Sequence, residues 1–182
     1  MGRVPEVRFK GFDGEWKEKT FDEMFERLQA KDCQIQSDEY LEVGKYPVVD
    51  QGKDAIIGYS NRTDKVFRAK ENPVIVFGDH TREVKFVDFD FVIGADGTQL
   101  LRSHDNDIAF AFYALKQVQL PNMGYSRHFK FLLEAKFFVP SLPEQRKIGA
   151  YFREMDALIA ARREEVGKLK DLKKALLERM FA

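Results

Sequence analysis

The chain has 182 residues, one cysteine, three histidines and no net charge. The lone Cys33 excludes a disulfide framework and a cysteine-based zinc site. His80, His104 and His128 stand far apart with no metal-ligand spacing, so no metal is expected. No apolar run is long enough to span a bilayer, and the N-terminus lacks the apolar stretch of a signal peptide. The expectation is a soluble cytoplasmic protein with no membrane contact. No glycine-rich loop follows a strand and opens a helix, and there is no Walker sequence, so no nucleotide or other cofactor is expected. Asn72-Pro73-Val74-Ile75 lacks the second proline and the aromatic with which base-amine methyltransferases grip a flipped base. It reads as a loop entering a buried strand. There is no internal repeat and no low-complexity stretch.

The 30 Lys and Arg and 30 Asp and Glu balance overall but are unevenly placed. From Glu144 onward there are 10 Lys and Arg against 7 Asp and Glu, a balance of +3, which leaves the rest at −3. An acidic globular part excludes the diffuse nucleic-acid affinity of a basic domain. Any DNA contact must come from a local basic face.

What is abundant is phenylalanine, 17 residues of it, enough for a sizeable aromatic core. Also present is a long helical pattern at the C-terminus. Ser141 lies three residues before Glu144 with Pro143 between them, the spacing of a capping box with proline in the first turn. Steps of four and three from Ile148 reach Phe152, Met155, Ile159, Arg162, Val166, Leu169, Lys173, Leu176 and Met180, an apolar seam interrupted only by two cations. A helix of that length outruns a domain of this size. Tyr151, Leu158, Leu172 and Leu177 widen the stripe, which fits one contact with the parent domain and another with a partner helix. Like charges at Arg162 and Lys173 would face each other in a parallel in-register pair, so antiparallel pairing is expected. Gly149 and Gly167 each cost the helix about 1 kcal/mol relative to alanine.

Before that helix the pattern is mixed. Val4–Phe9 is extended, and Trp16 and Phe21 are core anchors. Thr20 and Glu23 are spaced to cap a helix over Phe21–Leu28. From Tyr40 to Leu101 short apolar runs predict strands at Tyr46–Val49, Ile56–Tyr59, Val66–Phe67, Pro73–Phe77, Val84–Val87 and Phe91–Ile93, the run ending at Leu100-Leu101. Pro73–Phe77 is continuously apolar and so buried. Asp105 or Asn106 is positioned to cap a helix over Asp107–Gln117. Phe131–Leu133 is a brief helical turn, and Phe137–Pro140 a final strand feeding the long helix.

Two polar loops carry groups that can contact DNA, though each taken alone also reads as an ordinary solvated loop. Tyr125, Ser126, Arg127, His128 and Lys130 offer a ring, a hydroxyl, an imidazole and two cations; His80, Thr81 and Arg82 follow Asp79 in the other. Arginine reads guanine bidentately, while hydroxyls and lysine reach phosphates. Gln51 and Lys53 extend this surface. A competing pattern is Glu83-Val84-Lys85, an acidic-x-Lys triplet of the kind with which nucleases hold magnesium and activate water, with Asp64 or Asp79 upstream. An edge strand carrying charges accounts for the same three residues. A coiled-coil protein adaptor is a third reading.

Leu142-Pro143-Glu144-Gln145-Arg146-Lys147-Ile148, Met155-Asp156-Ala157-Leu158-Ile159 and Leu172–Phe181 resemble the conserved helical region of the specificity subunits of type I restriction-modification systems. Val4–Phe12 with Trp16, Tyr46–Gly52 and Phe77–Arg82 are similar to a target-recognition domain of that family. The resemblance implies a non-enzymatic DNA-specificity subunit. It implies that residues 1–140 form a target-recognition domain reading one half of a bipartite, interrupted target. It implies that residues 141–182 form the helix that sets the spacing and docks methyltransferase subunits, with a motor-nuclease subunit joining through the complex. A full-length member has two such domains and two helices; here there is one of each. The chain is then either a half-length subunit that restores the missing half as a homodimer reading an inverted repeat, or a fragment of a longer one. The expected fold is α+β, a mixed α/β globular domain followed by one long C-terminal helix that pairs as an antiparallel coiled coil.

Overall fold

The computed structural model describes residues 3–94, 97–103, 105–121, 124 and 126–181. The order of elements is β1 (Lys17–Thr20), α1 (Phe21–Met24), β2 (Phe25–Leu28), β3 (Tyr46–Val49), β4 (Gly58–Ser60), β5 (Val66–Phe67), β6 (Val74–Gly78), β7 (Val84–Val87), β8 (Phe91–Ile93), β9 (Thr98–Ser103), α2 (Ile108–Lys116), α3 (Phe129–Leu132), β10 (Lys136–Val139) and α4 (Leu142–Met180). Single 3-10 turns cover Lys31–Cys33, Ser37–Glu39 and Thr63–Lys65. The fold is α+β with a long C-terminal helix.

The continuous apolar run of β6 is explained by what lies on its two sides. Alternate residues of a strand point to opposite faces. Ile75 and Phe77 enter a core with Phe21, Phe25, Leu101, Phe110 and Phe129 under the helices. Val74 and Val76 enter a second core with Val49, Phe91 and Ile93. The sheet β2-β9-β6-β7 is therefore the middle layer, between helices and the second sheet β4-β3-β8-β5. Phenylalanine edges fill the first core. Phe129 meets Phe21 edge-on at 5.6 Å between centroids, and Phe137 meets Phe25 at 5.4 Å. Each such side chain contributes about 2–3 kcal/mol on burial.

Three expectations are corrected. The helix over Phe21–Leu28 is one turn, after which the chain becomes β2 and pairs antiparallel with β9, Arg27 opposite Leu101. The Thr20–Glu23 cap does form, with Thr20 N donating to Glu23 Oε2 at 2.7 Å. Phe21, Met24 and Phe25 are buried, so an i, i+3, i+4 pattern this short also fits a turn and a strand, and the free edge of β9 decides. The cap of α2 is Asp107, whose Oδ1 accepts from Phe110 N at 2.9 Å, rather than Asn106 or Asp105. Asn106 is buried and accepts from Lys19 Nζ instead.

The third concerns the start of α4. Pro143 lies in its first turn, but the Ser141 side chain makes no capping bond. Glu144 is 1% exposed and takes Arg8 Nε at 2.8 Å and Nη2 at 2.7 Å. Gln145 is also buried, accepting from Asp107 N and donating to the Pro140 carbonyl, both at 2.9 Å. The helix is thus locked into the domain at its base. Its last side-chain tie to the domain is Tyr113 Oη donating to Asp156 Oδ2 at 2.8 Å; burial and this carboxylate push the phenol pKa up. Beyond Asp156, no hydrogen bond or ion pair joins the helix to the globular part among the described residues.

Candidate nucleic-acid interface

Asp79 organises the loops at the end of β6. It is 4% exposed. Its N–H donates to the Gly97 carbonyl at 2.8 Å, and its own carbonyl accepts from His128 N at 2.8 Å. Its carboxylate Oδ1 accepts from Phe129 N at 2.8 Å. His128 Nδ1 lies 3.0 Å from the Asp79 carbonyl, which only accepts, so Nδ1 carries the proton. One residue therefore sews together the loops around positions 79, 97 and 128.

Gln51 is the second tie. Its side-chain Oε1 accepts from His80 N at 3.0 Å, and its backbone carbonyl accepts from the Thr81 hydroxyl. The turn closes as Arg82, at φ 64°, donates its N–H to the Gly78 carbonyl at 2.8 Å. A Cβ on Gly78 would fall onto Thr81 Oγ1 and the Gln51 carbonyl, so the turn requires glycine there.

These ties sort the candidate residues. Lys53, Thr81, Arg127 and Lys130 are exposed, and Gln51, His80, Arg82 and Ser126 are half-buried. Tyr125 and His104 lie outside the described residues. His128 is a correction: its ring is fully buried, so it builds the loop rather than presenting an imidazole to a ligand. A polar-loop sequence does not reveal this, because the reason is a partner, Asp79, 49 residues away.

The two loops share Asp79 but do not form one flat face. Thr81 and Arg82 border a hollow with Lys116 and Gln119 at the end of α2. Arg127 borders a separate groove with Asp79, Gly97 and Gln99, which Arg27 and Lys31 also line. Neither Arg27, which falls within the helix expected over Phe21–Leu28, nor Lys31 is among the loop residues expected to contact DNA.

The Glu83-Val84-Lys85 triplet has a structural occupation. Lys85 Nζ donates to the Asp50 carbonyl at 2.8 Å and to the Asp54 carbonyl, holding the turn after β3. Burial pushes its pKa down, against the pull of Asp50. Among the described residues no group of three or more His, Cys, Asp or Glu is placed to hold a metal. No described helix is long and apolar enough to cross a membrane.

Residues 13–170 match the model of the type I restriction modification DNA specificity domain. The chain belongs to this family. The family's role is DNA specificity rather than catalysis. A specificity-family relative, the EcoR124I/EcoR124II specificity subunit of Escherichia coli, is 32% identical over 84 residues, 44% of this chain and 21% of that subunit. Two solved type I structures share the fold. The S subunit from M. genitalium has a TM-score of 0.65 at 20% identity, covering 85% of this chain and 42% of that one. A chain from a structure on complex assembly and conformational transition of the type I system has a TM-score of 0.59 at 21% identity, covering 97% and 47%. This specificity-family chain thus spans less than half the length of the relatives it matches.

Proposed function

We propose that the globular part, residues 1–140, reads one half of a bipartite, interrupted DNA target, and that the helix of residues 141–182 pairs with a second copy and docks methyltransferase subunits. A motor-nuclease subunit joins through the resulting complex. Exposed Lys53, Thr81, Arg127 and Lys130, with half-buried Arg82, are the loop residues offered to DNA.

The observation that carries this reading is the uncovered seam of α4. Leu158, Ile159, Val166, Leu169, Leu172, Leu176 and Met180 are all exposed on a helix fixed to its domain only at the base. Residues 157–180 alone are about 36 Å long. A stripe of that length needs a cover. Antiparallel pairing fits the charge. Residues 162–181 carry seven Lys and Arg against four Asp and Glu, and residues 142–161 carry three of each. A parallel pair sets two basic halves together; an antiparallel pair sets each against a neutral half.

The test is to co-express the chain with its cognate methyltransferase and map methylated sites. The expected result is an inverted repeat interrupted by a fixed spacer. Methylation at random sites, or at an uninterrupted asymmetric site, overturns the reading.

A further inference from the structure

An acidic domain that reads DNA needs cations that no acid neutralises. Several cations of the chain are spent: Arg62, Arg68 and Lys136 on the globular part and Arg153 on α4 each pair with a carboxylate at 2.7–3.0 Å. The groove beside Asp79 gathers three cations. Arg27, Lys31 and Arg127 border it, and none pairs with a carboxylate among the described residues. Asp79, also in the lining, is 4% exposed and turns its carboxylate to Phe129 N.

The two arginines are mounted on fixed supports. Arg27 stands on β2, held to β9, and its guanidinium lies over the Phe129 ring at 5.0 Å from the centroid. Phe129 is itself fixed by Asp79 and by its edge contact with Phe21. Arg127 comes from the loop that the Asp79 carbonyl holds through His128 N. A guanidinium on a strand and an aromatic face has little freedom left to lose on binding. Its planar fork suits the O6 and N7 of guanine in a major groove, whereas an ammonium is a point charge suited to phosphate.

We propose that this groove is where the chain reads bases: Arg27 and Arg127 contact base edges of duplex DNA, and Lys31 contacts the phosphate backbone beside them. The assignment rests on the DNA-specificity reading above. It adds Arg27 and Lys31, which the loop residues alone do not include, and gives base reading to the groove between β2 and Arg127.

Wild type, Arg27→Ala, Arg27→Lys, Arg127→Ala and Lys31→Ala are each co-expressed with the methyltransferase. Methylated sites are mapped, and the affinity of each purified complex for the mapped site is followed against salt. Arg27→Ala and Arg127→Ala each relax one target position, losing about 5- to 150-fold on the preferred base. Arg27→Lys keeps the charge and loses the fork, so it relaxes the same position as Arg27→Ala. Lys31→Ala keeps the target, weakens all sequences alike and lowers the salt slope by about 1. If Arg27→Lys and Arg127→Ala both keep the wild-type preference at every position, whether with full or uniformly reduced affinity, base reading by the groove is overturned. If the wild type itself yields no defined target, the DNA-specificity reading falls and the groove assignment falls with it. Melting curves identify a variant that has lost its fold; Arg27→Lys, the mildest change, then decides for Arg27.

Discussion

The Asp90 carboxylate collects three donors: Arg68 Nη1 at 2.7 Å and the backbone N–H groups of Ala69 and Lys70, each at 3.1 Å. The Arg68 bond comes first in holding its pKa below the usual aspartate value, with the backbone bonds adding to it. The folded chain therefore binds this proton less readily than the unfolded one. The stability this gives is full above the ordinary aspartate pKa, about 4, and is lost as pH falls through the lowered folded value. Asp90→Asn should melt below the wild type at pH 7, with the gap closing as pH falls below about 4. A gap independent of pH would mean that the carboxylate's charge is irrelevant there. Residues also set how much of the site could be read in advance. Arg127, Thr81 and Arg82 carry their chemistry on their faces, and runs of polar residues mark their loops. His128 looks equivalent in sequence, and only its distant partner Asp79 buries it. Arg27 is the converse case, proposed as a site residue because of its strand and the Phe129 ring beside it.

At the scale of elements, strands with apolar alternation or a continuous apolar run were legible because burial dictates both patterns. β1 was not: Lys17-Glu18-Lys19-Thr20 has no apolar residue, and only its pairing with β10 makes it a strand. The helix glycines divide by the same logic of neighbours. A Cβ on Gly149 would lie 2.6 Å from Asp107 Oδ1 and 2.8 Å from Phe110 N, the two groups that form the cap of α2. This residue's cost in helix propensity is offset by letting α4 lie against the start of α2. A Cβ on Gly167 meets nothing within 4 Å. Alanine therefore acts in opposite directions at the two sites. Gly149→Ala should destabilise by about 1–3 kcal/mol through overpacking. Gly167→Ala should stabilise by up to about 1 kcal/mol through propensity alone. Urea denaturation of both variants checks the contrast, and equal effects would contradict the close approach of the two helices.

At the scale of the whole molecule, α4 is too long to be a scaffold for its own domain. About 58 Å of helix is anchored by Glu144, Gln145 and the contacts up to Asp156, and the remainder holds its apolar stripe in the open. The proposed pairing turns that stripe into a measured distance between two reading domains. In that proposal the globular part contributes the half-site and the helix contributes the spacing, so the two are separable by mutation. Leu169 and Leu176 are 59% and 49% exposed and touch no described core cluster, so charging them should leave the domain intact. Each leucine covered by a partner helix is worth about 1.5–3 kcal/mol. Leu169→Glu with Leu176→Glu should therefore weaken association at least about a hundredfold, converting a dimer to a monomer in sedimentation velocity while the melting of the globular part stays unchanged. A wild type that is already monomeric at tens of micromolar would remove the second copy as the seam's cover. The second domain and helix would then have to come from another chain or from a longer version of this one, and an inverted repeat would no longer be the expected symmetry of the target.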